Sequence, residues 1–262
     1  MAAAEPSGRD AVSYERRGAA ALITIDRPHR RNAVDGPTAA ALHEAYLEFE
    51  RDDDARVLVV TGAGGIAFCA GADLKATATM AGRLMSAEGP MGFTRLTPSK
   101  PTIAAISGFA LAGGLEIALW CDLRIATESS QLGYPERRWG VPLIDGGTQR
   151  LPRIVGMGRA LDLILTGRII DASEALAMGM LTEVVPEGRH LDRALELAEG
   201  LASFPQSTML ADRRAAIEGF GMPLADALAL EAQAGPEVFE DGARGAARFA
   251  AGEGRGGAGA GA

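Results

Sequence analysis

PTIAAISGFALAGGLEIALWCDLRIATESSQLGYPE, from Pro101 to Glu136, is the stretch around which the rest of the chain is read. The apolar, partly β-branched residues from Pro101 to Ile106 predict a buried strand. Ser107 to Gly114 is small and flexible, and a helix-compatible run follows from Leu115 to Leu123. The order is strand, glycine-rich turn, helix. Such a turn aims free backbone N–H groups at whatever lies before the helix N-terminus. Glu116 stands among apolar residues in that helix, where a carboxylate is costly to bury unless something uses it. A second carboxylate, Glu136, follows twenty positions on, just behind Pro135. Two carboxylates beside a backbone anion site point to acid–base chemistry on a carbonyl compound.

Composition narrows the class. The 262 residues suffice for one large domain or a domain with an extension. A chain that is 47% hydrophobic and 23% charged is an ordinary soluble globular one. The formal net charge of −8 argues against a nucleic-acid binder but leaves an anionic small ligand open, because a few local arginines suffice for that. Cys69 and Cys121 read as small buried hydrophobes rather than a disulfide framework or a redox pair. His29, His43 and His190 are scattered and match no metal spacing. The N-terminal residues lack the apolar core of a secretory signal, and no apolar run is long enough to cross a membrane. The expected location is the cytoplasm. The Gly/Ala-rich tail, Gly252 to Ala262, is expected to be disordered.

Along the chain, Val12–Arg17 and Ala20–Asp26 read as a hairpin around Gly18. Asn32 and Asp35 are candidate caps for a helix over Thr38–Arg51. Val57–Val60 is a buried-type strand, and Met80–Ser99 a mobile-looking segment with one helix in it. After Glu136 come a loop, a helix near Gly147, helices over Arg159–Leu165 and Ala172–Met178, and a strand over Thr182–Val185. From about Arg189 only helical patterns remain, punctuated at Phe204-Pro205, Gly219–Pro223 and Gly235-Pro236. The expected organisation is an α/β body over residues 1–195 and an all-helical oligomerisation region over 196–262.

Two other chemistries are set aside. Gly62-Ala63-Gly64-Gly65-Ile66-Ala67 after a strand fits G-x-G-x-x-A, a dinucleotide fingerprint, but the chain then continues as loop where a helix should open. Gly82 also stands where a ribose-binding acid is expected. Ser107 lies in no G-x-S-x-G elbow and no histidine is placed to serve it, which disfavours a serine hydrolase.

Four stretches in order, FCAGADL (Phe68–Leu74), GFALAGGLEIALWCDLRIA (Gly108–Ala126), QLGYPE (Gln131–Glu136) and GGTQRLPRIVG (Gly146–Gly156), resemble the enoyl-CoA hydratase/isomerase, or crotonase, superfamily. The pattern from Ala160 to Pro186 does so too, and the resemblance spans about Val12 to Phe249. It implies a crotonase-type ββα spiral with a C-terminal helical trimerisation region, assembling as a homotrimer or a dimer of trimers. It implies that the backbone N–H groups of Ala70 and Gly113 form an oxyanion hole, and that Glu116 and Glu136 match the two catalytic glutamates of the hydratases. Ala70, Ala72, Asp73 and Leu74 fall where the family lines the channel for coenzyme A, and Arg30 lies near where it often carries a basic residue for the CoA phosphates. The chain departs from the family around Arg137-Arg138-Trp139 and at Ile144-Asp145, which brings Trp139 and Asp145 toward the acyl group. Asp145 is either a third acid, as an isomerase could use, or a loop cap bonded to nearby N–H groups.

The reaction implied is reversible syn addition of water to a trans-2-enoyl-CoA, giving 3-hydroxyacyl-CoA, in fatty-acid or related acyl-CoA metabolism. By resemblance, Glu136 handles the α-proton and Glu116 orients and activates water. No metal or other cofactor is expected, since the CoA thioester supplies the acidity. The alternatives are a double-bond isomerase of the same family and a non-catalytic acyl-CoA binder.

Overall fold

The computed structural model describes residues 8–253, so most of the tail expected to be disordered, and the extreme N-terminus, lie outside the described residues. The body begins with β1 (Val12–Arg17) and β2 (Ala20–Ile25), an antiparallel hairpin whose turn uses Gly18 at φ 61°. α1 (Gly36–Arg51) follows, capped by Asp35, whose side chain accepts from Thr38 N–H at 2.9 Å. Asn32 is not a cap. It is wholly buried, accepts from Arg27 N–H, and donates to the carbonyls of Ala63 and Ala67 at 2.9 and 2.6 Å. It therefore ties its own turn to the next strand connection.

β3 (Val57–Gly62), β4 (Ala67–Cys69), β5 (Thr102–Ile106), β6 (Phe109–Leu111), α2 (Gly113–Trp120), β7 (Leu123–Thr127) and β8 (Gln131–Gly133) then follow. After them come α3 (Gly147–Val155), α4 (Met157–Thr166), β9 (Ile169–Asp171), α5 (Ala172–Ala177) and β10 (Glu183–Val185). The six-stranded sheet runs β1-β2-β3-β5-β7-β10 and is parallel from β2 onward. Every residue of β3 and β5 is buried, as a parallel sheet covered on both faces requires. A second sheet runs β4-β6-β8-β9. Each of β3, β5 and β7 is followed by a short strand of this second sheet, so the chain winds as a spiral of ββα turns.

The structure differs from the sequence reading at several elements. The helix expected within Met80–Ser99 is a 3-10 turn at Thr77–Arg83, and the residues after it are irregular. They are held by packing: Phe93 lies 4.6 Å from Trp120 and 6.1 Å from Tyr46, ring centre to ring centre, and Trp120 Nε1 donates to the Leu96 carbonyl. The glycine-rich turn contains β6. α2 stops at Trp120, short of Leu123, because Asp122 turns back to accept from Thr102 N–H and leads directly into β7. β9 is too short to show a period of two in the sequence.

The chain divides into two compact units between Ala198 and Glu199, inside α6 (His190–Ser203). The second unit holds α7 (Gln206–Gly219) and α8 (Leu224–Ala250), an antiparallel pair joined by Ser207 to Asp241 and Arg214 to Glu237. α8 runs through Gly235-Pro236, where the sequence reading placed a break. Phe220, Leu224, Phe239 and Phe249 are exposed on this unit.

Candidate active site

Two backbone segments meet at the front of α2. Gly113 is the first residue of that helix, so no earlier helical carbonyl can accept its N–H. The residue before it, Ala112, has φ 53° and ψ −128°, a left-handed conformation that a side chain makes unfavourable. Its N–H is tied to the Gly133 carbonyl at 2.9 Å, which holds the turn in place. Against it packs the Phe68–Leu74 stretch. Gly71, at φ 89°, comes so close that a Cβ there would sit 2.9 Å from the Gly113 nitrogen.

The partner donor expected from the sequence is Ala70, and the structure corrects it. Ala70 N–H is already given to the Arg31 carbonyl at 3.0 Å. The next residues form a parallel bridge with Val34, using the Gly71 carbonyl and Asp73 N–H. Successive N–H groups of extended chain face opposite sides, so Ala72 N–H points away from Val34. It has no partner among the described residues. The free donors are Ala72 and Gly113. The sequence contains both alanines in the same motif and could not tell them apart, because the choice depends on which N–H donates to the Arg31 carbonyl.

The two glutamates are both buried, Glu116 at 2% and Glu136 at 6% exposure. Glu116 lies on the first turn of α2, and its Oε1 accepts from Asp145 N–H at 2.9 Å and Gly147 N–H at 2.7 Å. Burial, helped by the nearby Asp145 charge, pushes its pKa up to about 8 against the pull of those two donors. Glu136 sits on a 3-10 turn, Pro135–Trp139, directly behind β8. Neither of its carboxylate oxygens has a hydrogen-bond partner among the described residues. Burial raises its pKa to about 7, and the pull of its own backbone N–H and then the nearby Arg137 charge offset this only in part. Tyr134, two residues before Glu136, has its hydroxyl close against Gly147 beside Glu116 Oε1, which brings the two acids into one region.

Asp145 makes the contacts that the loop-cap reading calls for. Its Oδ1 accepts from Met91 N–H at 2.9 Å and from the Thr94 hydroxyl. Arg150 donates to the Asp145 and Thr94 carbonyls, and Arg95 to those of Ser86 and Ile144. These contacts clamp the loop before α3 onto the irregular 86–94 segment. A cleft of about 400 Å³ opens beside that loop, lined by Thr94, Leu143 and Ile144 among others.

Two further expected site residues stand as follows. Asp73 is engaged in a buried ion pair with Arg27 (3.2 Å), which Asp35 also joins (2.9 Å), so its carboxylate braces the turn. Trp139 is 74% exposed at the end of its 3-10 turn and stands outside the buried cluster. Leu74 is exposed just beyond Asp73, and Arg30 ends the 3-10 turn Pro28–Arg30. The sequence reading missed Gly147 N–H as the group that holds Glu116, and it missed Tyr134, a fully buried residue beside both acids. An aromatic residue at the end of a buried strand reads as core, so no sequence signal marked Tyr134.

The chain matches the Enoyl-CoA hydratase/isomerase family over residues 15–251. It is similar to the short-chain-enoyl-CoA hydratase of Clostridium acetobutylicum, 39% identical over 232 residues that cover 87% of this chain and 89% of that protein. It is similar to the (E)-benzylidenesuccinyl-CoA hydratase of Thauera aromatica, 38% identical over 217 residues covering 81% and 84%. The crystal structure of enoyl-CoA hydratase EchA1 from Mycobacterium marinum matches with a TM-score of 0.86 at 37% identity, covering 92% of this chain and 95% of that one.

Proposed function

The chain belongs to the enoyl-CoA hydratase/isomerase family, and we propose that it adds water reversibly across the double bond of a trans-2-enoyl-CoA by means of Glu116 and Glu136. The observation that carries this reading is Glu136: a buried carboxyl with two unpartnered oxygens, set beside a second buried carboxyl. A purely structural acid at that depth would be paired.

The thioester oxygen lies between the N–H groups of Ala72 and Gly113. As water adds at the β-carbon, the π electrons move to that oxygen and the donors meet growing negative charge. Glu116, held by Asp145 and Gly147, takes a proton from the water, and Glu136 delivers one to the α-carbon. The thioester supplies the acidity, so the reading calls for no metal or cofactor. The family resemblance assigns Arg30, Ala72 and Leu74 to the approach of coenzyme A, and the exposure of Leu74 supports this. The assembly is a homotrimer or a dimer of trimers. The location is cytoplasmic, in keeping with two buried free thiols, Cys69 and Cys121.

The test is the absorbance of the conjugated enoyl thioester over a series of chain lengths. Loss of absorbance supports hydration. Gain from a 3-enoyl substrate without loss from a 2-enoyl one means isomerisation, and no change with either means a binder.

A further inference from the structure

Tyr134 is completely buried, yet its hydroxyl has no hydrogen-bond partner among the described residues. An unpaired buried hydroxyl costs about 1–3 kcal/mol, so a structure that keeps one is holding it for a partner outside the chain. Its place is specific. A Cβ built on Gly147 would lie 2.6 Å from Tyr134 Oη and 2.9 Å from Glu116 Oε1. The phenol oxygen and the Glu116 carboxylate therefore both lie close against Gly147, at the start of α3. The unpartnered oxygens of Glu136 follow two residues along the chain. Burial and the charges of Glu116 and Glu136 raise the Tyr134 pKa well above its ordinary value, so the phenol keeps its proton throughout the working range.

We propose that Tyr134 Oη is a ligand of the reacting water, a role that rests on the hydratase reading above. One hydrogen of the water points to the Glu116 carboxylate and the other to Tyr134 Oη, which leaves an oxygen lone pair facing the β-carbon. When the carbon–oxygen bond forms, the π pair moves to the thioester oxygen, Glu116 takes the first hydrogen as a proton, and Glu136 protonates the α-carbon. Tyr134 keeps its own proton and the second hydrogen stays on the product hydroxyl, so atoms and charge balance. In the reverse direction the same phenol holds the departing hydroxyl.

The experiment compares two reactions of one variant, Tyr134→Phe. The first is hydration of a short trans-2-enoyl-CoA. The second is exchange of the α-hydrogens of the saturated acyl-CoA with D2O, followed by mass spectrometry, which uses Glu136 and the oxyanion donors but no attacking water. The expected result is a fall of about tenfold or more in the ratio of hydration to exchange, the worth of one hydrogen bond to a reacting group. Thermal stability should be held or raised, since only an unpaired hydroxyl is lost. A ratio equal to that of the wild type, or a loss of stability with both rates falling together, would overturn the proposal. Glu136→Gln serves as the reference and should lower both reactions. Exchange without hydration in the wild-type protein would instead overturn the hydratase reading itself.

Discussion

Gly147 N–H donates to Glu116 Oε1 at 2.7 Å, so the residue that opens α3 holds the acid in the first turn of α2. A Cβ at Gly147 would lie 2.9 Å from that same oxygen. The contact joins residues thirty-one positions apart and gives the carboxylate a fixed direction. It also partly opposes the rise in pKa that burial imposes, which keeps the base form of Glu116 within reach near neutral pH.

Glu116→Gln and Glu136→Gln should each lower turnover by ~10²–10⁴-fold, the usual range for a general acid or base, with little change in KM. Steady-state kinetics on a short trans-2-enoyl-CoA measures this. Near wild-type turnover in either variant would remove that glutamate from the mechanism.

Glu136→Gln should also change how stability depends on pH. The raised pKa means that the folded wild type keeps a proton which the unfolded chain gives up, so its stability falls as pH rises from about 4.5 to about 7. Glutamine has no proton to lose over that window. The variant should therefore gain more stability over the wild type at pH 8 than at pH 5. Denaturant midpoints at the two pH values give the comparison, and equal differences at both would show that Glu136 titrates normally.

Gly113→Pro removes one oxyanion donor at the first helical position, where proline is best tolerated. Turnover should drop by ~10²–10³-fold with the circular dichroism spectrum preserved. Gly113→Ala keeps the donor. Its Cβ would meet the flexible end of Met91 at 3.1 Å, so the loss should be much smaller. Gly114→Ala is not a usable control, since its Cβ would come 2.0 Å from the Cys69 carbonyl oxygen. A folded proline variant with undiminished hydration would place the oxyanion elsewhere.

Asp145 separates an anchor from a third acid. Asp145→Asn keeps an oxygen that can accept from Met91 N–H and the Thr94 hydroxyl, so turnover should stay within a few-fold and the fold should hold. Asp145→Ala strands both donors, and unfolding should become easier by roughly 1–3 kcal/mol for each donor left buried and unpaired. A hundredfold loss of turnover in the asparagine variant would make Asp145 a proton carrier.

The exposed Phe220, Leu224, Phe239 and Phe249 should be covered in the assembled protein. Light scattering at micromolar concentration should give the mass of a trimer or a multiple of it, whereas a stable monomer would mean that this apolar surface has another use.

The sequence alone determined the hairpin around Gly18, the strand Val57–Val60, the strand–turn–helix that carries Glu116, and both acids as candidates. Each rests on local physics: a period of apolar residues, a glycine where the chain must turn, a carboxylate where none is comfortable. Tertiary structure alone decided which N–H groups are free. Ala70 and Ala72 are equivalent in the motif until Arg31, more than thirty positions earlier, accepts from Ala70 N–H, while Val34 takes Asp73 N–H and leaves that of Ala72. The same holds for Asp73, bound by Arg27, for Asp145, bound by Met91 and Thr94, and for Tyr134, whose hydroxyl remains unclaimed. A polar group is available for chemistry only if no other part of the chain satisfies it, and that depends on contacts between distant segments that no local pattern records.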